Sequence, residues 1–118
     1  MSSQSTGCLL VFTNFPNVEV ARQIGTALVE NQLAACVNLL SPATSIYSWK
    51  GKIETDVEIP ALIKTTEEAF QQLLAKLTDL HPYEVPEIIA TPIIEGSKLY
   101  LDWIRENVSA CAADGFGR

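Results

Sequence analysis

Residues 44–65, TSIYSWKGKIETDVEIPALIKT, constrain this chain more than any other stretch. Apolar and polar residues alternate on both sides of Lys50-Gly51, and a glycine there supplies the positive φ that a two-residue hairpin turn needs. A turn at that point sets Trp49 opposite Lys52, Tyr47 opposite Glu54 and Ser45 opposite Asp56. Side chains alternate with period two, so this register sorts them onto two faces. One face carries Ile46, Ile53, Val57 and Ile59 and is expected to be buried. The other carries Tyr47, Trp49, Lys52, Glu54, Asp56 and Glu58, and Trp49 over Lys52 would form a cross-strand cation–π pair. Pro60 cannot donate to a ladder, so a bulge or a change of partner is expected before the strand resumes as ALIK. Arms of about ten residues or more reach on the order of 30 Å, longer than a small domain needs for itself. An arm with isoleucine on one face and Tyr and Trp on the other is expected to lie against a neighbouring molecule.

The rest of the chain supplies a scaffold for that arm. CLLVFTN, Cys8 to Asn14, is a nearly continuous apolar run and reads as a buried strand. Asn17 is a suitable N-cap for a helix over 18–30, with Glu19 in its first turn. Val18, Ala21, Ile24, Leu28 and Val29 form its apolar stripe, Gly25 lets it sit close to the sheet, and Asn31 is a stop. A second apolar run covers 34–40. Thr65 and Glu68 have the spacing of a capping box for a second helix, whose stripe is Phe70, Leu73, Leu74, Leu77 and Leu80. Pro82 and Pro86 end it, 87–94 reads as the last strand, and Ser97 caps a third helix that presents Tyr100, Leu101, Ile104 and Val108. The order β-α-β-hairpin-β-α-β-α is the ferredoxin-like, split βαβ pattern of the α+β class, here with an extra C-terminal helix. One domain over 8–108 is expected, with a disordered N-terminus at 1–7 and a flexible tail at 109–118.

Charge narrows the partners. Fourteen acidic residues stand against eight scattered basic ones, a net charge of −6. That balance argues against nucleic acid and against an anionic membrane surface, and makes a cation the natural guest. No apolar run approaches the ~20 residues of a membrane span, and MSSQSTG does not read as a signal peptide. Cys8, Cys36 and Cys111 form no CxxC, which removes a thioredoxin-like pair, a zinc ribbon and the usual metallochaperone loop. A reducing, cytoplasmic setting is expected. His81 is the only histidine and has no obvious nucleophile beside it, so no catalytic constellation stands out and an enzyme is not expected. The loop after the first strand, NFPN, lacks the glycine-rich anion cradle and arginine of acylphosphatases. Stacking aromatics with basic charge, as an RNA-recognition module needs, are missing.

Three segments together resemble one family. LAACVNLLSPATSIYSWKGKIE (33–54), IKTT (63–66) and HPYEVPEIIATPI (81–93), with YLDWI (100–104), are similar to the CutA family of divalent-cation-tolerance proteins over about residues 8 to 108. The resemblance implies a ferredoxin-like domain assembled as a homotrimer, with the long hairpins interlocking around the threefold axis. It also implies a link with tolerance to divalent cations, copper in particular, and carries no accepted enzymatic activity. In members described as copper-binding, a cysteine near the end of the first strand acts with two adjacent histidines ahead of Pro-Tyr. Thr13, Leu80 and His81 stand at those positions here, so only His81 remains.

Three sets of candidate residues follow. His81 is either a soft-metal ligand or a polar residue placed near a helix C-terminus. Lys64, Tyr83, Glu84 and Glu87, with Tyr47 and Trp49, either line a binding cleft between subunits or pack an interface. Glu54, Asp56 and Glu58 are oxygen ligands for a hard cation or a solvated strand face. The expected function is a trimeric, non-enzymatic protein of metal-ion response that needs no cofactor and binds copper or another divalent cation weakly. The alternative is a PII-like signalling or scaffold trimer that takes a small molecule or a partner protein in its clefts.

Overall fold

The computed structural model describes residues 5–109, which build five strands and three helices: β1 Cys8–Phe15, α1 Val18–Glu30, β2 Cys36–Leu39, β3 Ala43–Trp49, β4 Lys52–Thr66, α2 Phe70–Leu80, β5 Ile89–Pro92 and α3 Lys98–Asn107. The expectations for 1–4 and for 110–118, with Cys111, lie outside the described residues. Strands run in the order β2-β4-β1-β5, each antiparallel to its neighbour, and β3 pairs with β4. This is the ferredoxin-like α+β arrangement. Among the described residues no helix is long and apolar enough to cross a membrane.

β4 organises the molecule. Its first half, Lys52 to Glu58, pairs with β3 in the register expected from the turn, including Trp49 with Lys52 and Tyr47 with Glu54. Lys50 and Gly51 both hold positive φ, at 51° and 83°. The partner changes at Ile59–Pro60: from there β4 lies against β1, and from Ala61 against β2 as well. Pro60 sits at that switch, paired with Asn14, and its carbonyl accepts from the Leu40 N–H at 2.9 Å. A proline tolerates this place because its missing donor falls where one ladder gives way to another.

The sheet buries one face against α1 and α2. Val11, Thr13 and Phe15 on β1 stand opposite Ile63, Ala61 and Ile59 on β4, and all six are buried. Leu73 and Leu77 from α2, with Ala21, Ile24 and Leu28 from α1, close this core. The Asn17 side chain caps α1 by accepting from Val20 N–H at 2.8 Å. A β-carbon at Gly25 would stand 3.3 Å from Val37 Cγ1, so the glycine does let α1 approach β2. α3, capped by Ser97, closes one end of the sheet with Leu101, Ile104 and Val108 against Cys8, Ala35 and Ala69. Its Tyr100, expected on the buried stripe, is exposed.

Three local expectations are corrected. Thr65 is no helix cap: it is a fully buried strand residue whose hydroxyl donates to Leu33 O at 2.7 Å. Thr66 instead accepts from Ala69 N–H at 3.2 Å, and α2 starts at Phe70. The apolar core keeps β4 extended past the point where the cap pattern begins. Trp49 carries Lys50, not Lys52, over its ring at 5.4 Å, because the turn folds Lys50 back. The Ile face of the arm is uncovered in the single chain: Ile46, Ile53 and Val57 are 72%, 75% and 63% exposed, and only Ile59, inside the main sheet, is buried. The hairpin projects beyond the helices, and among the described residues no helix covers this face.

Candidate functional site

The hairpin, with its polar face and with Ile46, Ser48 and Val57 of the other face, encloses a cleft of about 910 Å³ together with the end of β1 and the loop after α2. Alternation on β3 sends Ser45, Tyr47 and Trp49 to the same side as Asp56 and Glu58 of β4. Tyr47 faces Glu54 directly, and its hydroxyl donates to the diagonal neighbour Asp56. Pro82 and Pro86 stop helical continuation, so HPYEVPE crosses over the base of the arm as a loop. That loop brings Tyr83, Glu84 and Glu87 to the opposite wall. The Tyr83 hydroxyl donates to Glu58 Oε2 at 2.7 Å, and Asn14 Nδ2 donates to Glu87 Oε1 at 2.7 Å.

Four carboxylates, Asp56, Glu58, Glu84 and Glu87, therefore line the cleft with no Lys, Arg or His among the lining residues. Glu58 is only 9% exposed and keeps Tyr83 as its donor. Partial burial, then the hydrogen bond to Glu58 and the charges of Glu58 and Asp56, push the Tyr83 phenol well above its ordinary value of 10.0. The hydrogen bond to Asp56, with desolvation and the charges of Asp56, Glu54 and Glu58, pushes the Tyr47 phenol up to about 12. Both phenols are thus neutral donors at physiological pH, held on carboxylates, and neither is available as a base.

Tyr47, Trp49, Tyr83, Glu84 and Glu87 come together here as a single wall-lined cleft. Lys64 does not join them. It lies six positions past Glu58 on the same strand, roughly 20 Å at the strand rise, opposite Leu10 and Cys36, and donates to Asn38 Oδ1. His81 sits behind the cleft rather than in it, 6% exposed. Its Nε2 meets Asn14 O at 2.7 Å, its Nδ1 accepts from Tyr83 N–H at 3.2 Å, and its ring stacks on Phe15 at 5.2 Å. The residue that sequence reasoning missed is Asn14, since nothing in CLLVFTN marks its side chain for Glu87.

The donor set can be tested against a tightly held metal. Among the described residues no group of three or more His, Cys, Asp and Glu could hold one ion. Both His81 nitrogens are engaged with backbone groups, and buried Thr13 offers a hydroxyl where a soft cation prefers a thiolate. Among the described residues a closed copper site does not fit. What the cleft presents is dispersed negative charge, suited to a hydrated or loosely held cation.

The comparisons with known proteins agree with this fold. The CutA1 divalent ion tolerance protein family matches residues 9–107. A divalent-cation tolerance protein CutA from Thermus thermophilus is 53% identical over 98 residues, covering 83% of this chain and 95% of that protein. Human protein CutA is 48% identical over 95 residues, 80% of this chain but only 53% of the human protein. Among solved structures, the divalent cation tolerance protein from T. thermophilus superposes with a TM-score of 0.84 at 51% identity, covering 86% of this chain and 99% of that one. CutA from Xylella fastidiosa superposes with a TM-score of 0.85 at 41% identity, covering 87% and 99%. With the family matched over nearly the whole folded region and the architecture shared throughout it, this chain belongs to the CutA1 divalent ion tolerance protein family.

Proposed function

We propose that this chain acts in divalent-cation tolerance as a homotrimeric binding protein without enzymatic activity, and that its cleft holds copper or another divalent cation weakly. The observation that carries the reading is the cleft itself: Asp56, Glu58, Glu84 and Glu87 face one space with no basic residue among its lining. Low-dielectric walls lined by one sign of charge concentrate counter-ions even where no ligand cage exists. Trimer assembly is supported by the uncovered Ile46, Ile53 and Val57 on the arm and by Ile89, 57% exposed, opposite Phe12 on the open sheet face. Each needs cover, and sibling arms of the same shape supply it. A cytoplasmic location belongs to the same proposal and is supported by the free thiols of Cys8 and Cys36.

Calorimetric titration with copper and zinc tests the cation reading on the wild type and on an Asp56→Asn/Glu84→Gln variant. Weak, salt-sensitive binding that drops in the variant is expected; binding unchanged by the variant would refute the role of the cleft. A cleft of this size also falls within the range of small-molecule pockets, which favours the PII-like alternative as second reading. A thermal-shift response to a small organic ligand, with none to copper or zinc, would select it.

A further inference from the structure

We infer that His81 is the positioning residue of the cleft wall and not a metal ligand, its imidazole locked as the Nε2–H tautomer between two backbone groups. The inference rests on the reading that the cleft is the binding site, and it adds the device that shapes it. The lock follows from fixed chemical roles. The Asn14 carbonyl can only accept, so the Nε2 beside it at 2.7 Å carries the proton. The Tyr83 N–H can only donate, so the Nδ1 beside it at 3.2 Å is bare. A histidine's tautomer is usually set by one neighbour; here two backbone groups on separate elements specify it together.

Neither ring nitrogen is therefore available to a metal. Nε2 bears a hydrogen, and the Nδ1 pair is directed at an amide. The ring is nearly enclosed, flat against Phe15 with planes only 13° apart, and the tilted Tyr83 ring lies 4.7 Å from it. Coordination at either nitrogen would release one of the two strands of chain the ring joins.

The bonded partners explain what the ring does instead. Asn14 is the next-to-last residue of β1, and its side chain holds Glu87; Tyr83 lies in the loop after α2, and its hydroxyl holds Glu58. His81 thus ties together the backbones of the two residues that orient these two cleft carboxylates. An imidazole suits this place because it is a rigid ring with a donor and an acceptor that diverge in its plane, and it can still stack on an aromatic face.

Nitrogen-15 NMR of the 118-residue chain tests this directly, since it has a single histidine. The expected long-range correlations show Nε2 protonated and Nδ1 bare, with neither shift moved by added zinc ion. An Nδ1–H tautomer, or zinc-dependent movement of either nitrogen, would overturn the inference. Two substitutions extend the test. His81→Gln keeps a donor and an acceptor and is expected to retain hydrogen-exchange protection at the Tyr83 amide. His81→Phe keeps the stack alone and is expected to lose that protection by about tenfold or more. If His81→Gln abolished stoichiometric metal binding while Tyr83 stayed protected, His81 would be a ligand and the inference would fail. Should His81→Phe not fold, the wild-type tautomer still decides. Should the wild type bind no cation, the function proposed above fails while the tautomer and the Tyr83 amide still report on His81.

Discussion

The Tyr83 hydroxyl donates to the Glu58 carboxylate at 2.7 Å, bonding the loop after α2 to the base of the hairpin. Glu58 is largely covered, so removing its donor leaves a carboxylate short of a partner. Tyr83→Phe is expected to lower stability by about 1–2 kcal/mol at neutral pH, read from urea unfolding with the slope unchanged.

Alkaline pH tests the two phenols of the cleft. Tyr47 and Tyr83 lose their protons later in the folded chain than in the unfolded one, Tyr47 at about 12 and Tyr83 well above 10.0. Their contribution is whole below the unfolded value and shrinks as pH rises through the folded value, because above about 10 the unfolded state binds fewer protons. Wild-type stability should therefore decline from about pH 10 upward, and the double variant Tyr47→Phe/Tyr83→Phe should decline less steeply. Urea midpoints across this range check it; parallel curves would contradict the assignment.

The uncovered arm makes a prediction about assembly. Ile53 is 75% exposed in the single chain, so Ile53→Lys should leave the folded chain intact by circular dichroism. A buried lysine between sibling arms is costly, and the mass by light scattering should fall from near three chains toward one chain of 12.9 kDa. An unchanged mass would show that the arm face is not the seam.

Thr65 and Glu68 distinguish strand from cap. The Thr65 hydroxyl donates to Leu33 O from a fully buried position, so Thr65→Val should cost about 1–2 kcal/mol. Glu68 is exposed and caps nothing, so Glu68→Ala should stay within about 0.5 kcal/mol of wild type. A capping box would instead make the two losses similar.

Gly25 and Val37 should prove coupled. A β-carbon on residue 25 already meets Val37 Cγ1 at 3.3 Å, so Gly25→Val should destabilise by about 1–3 kcal/mol. Adding Val37→Ala makes room, and the double variant should lose less than the sum of the single losses. Strict additivity in thermal or urea unfolding would argue against the contact.

Much of the fold was legible because it is local. Alternation around Lys50-Gly51 determined the register of β3 on β4 and which residues share each face, since period-two geometry and a positive-φ turn leave no other pairing. Asn17 and Ser97 marked their helix starts because a cap acts over three residues. The same local logic misplaced Thr65, where burial in the sheet outweighed a cap-like pattern.

The cleft was only half legible, and the division is physical. Tyr47, Trp49 and Asp56 were placed on one face by sequence alone, because strand alternation operates within a few residues. Tyr83 meets Glu58 across 25 positions and His81 meets Asn14 across 67, contacts that exist only once α2 packs on the sheet and its following loop turns back. No periodicity carries such information, since these partners are selected by where two elements end in space rather than by spacing along the chain.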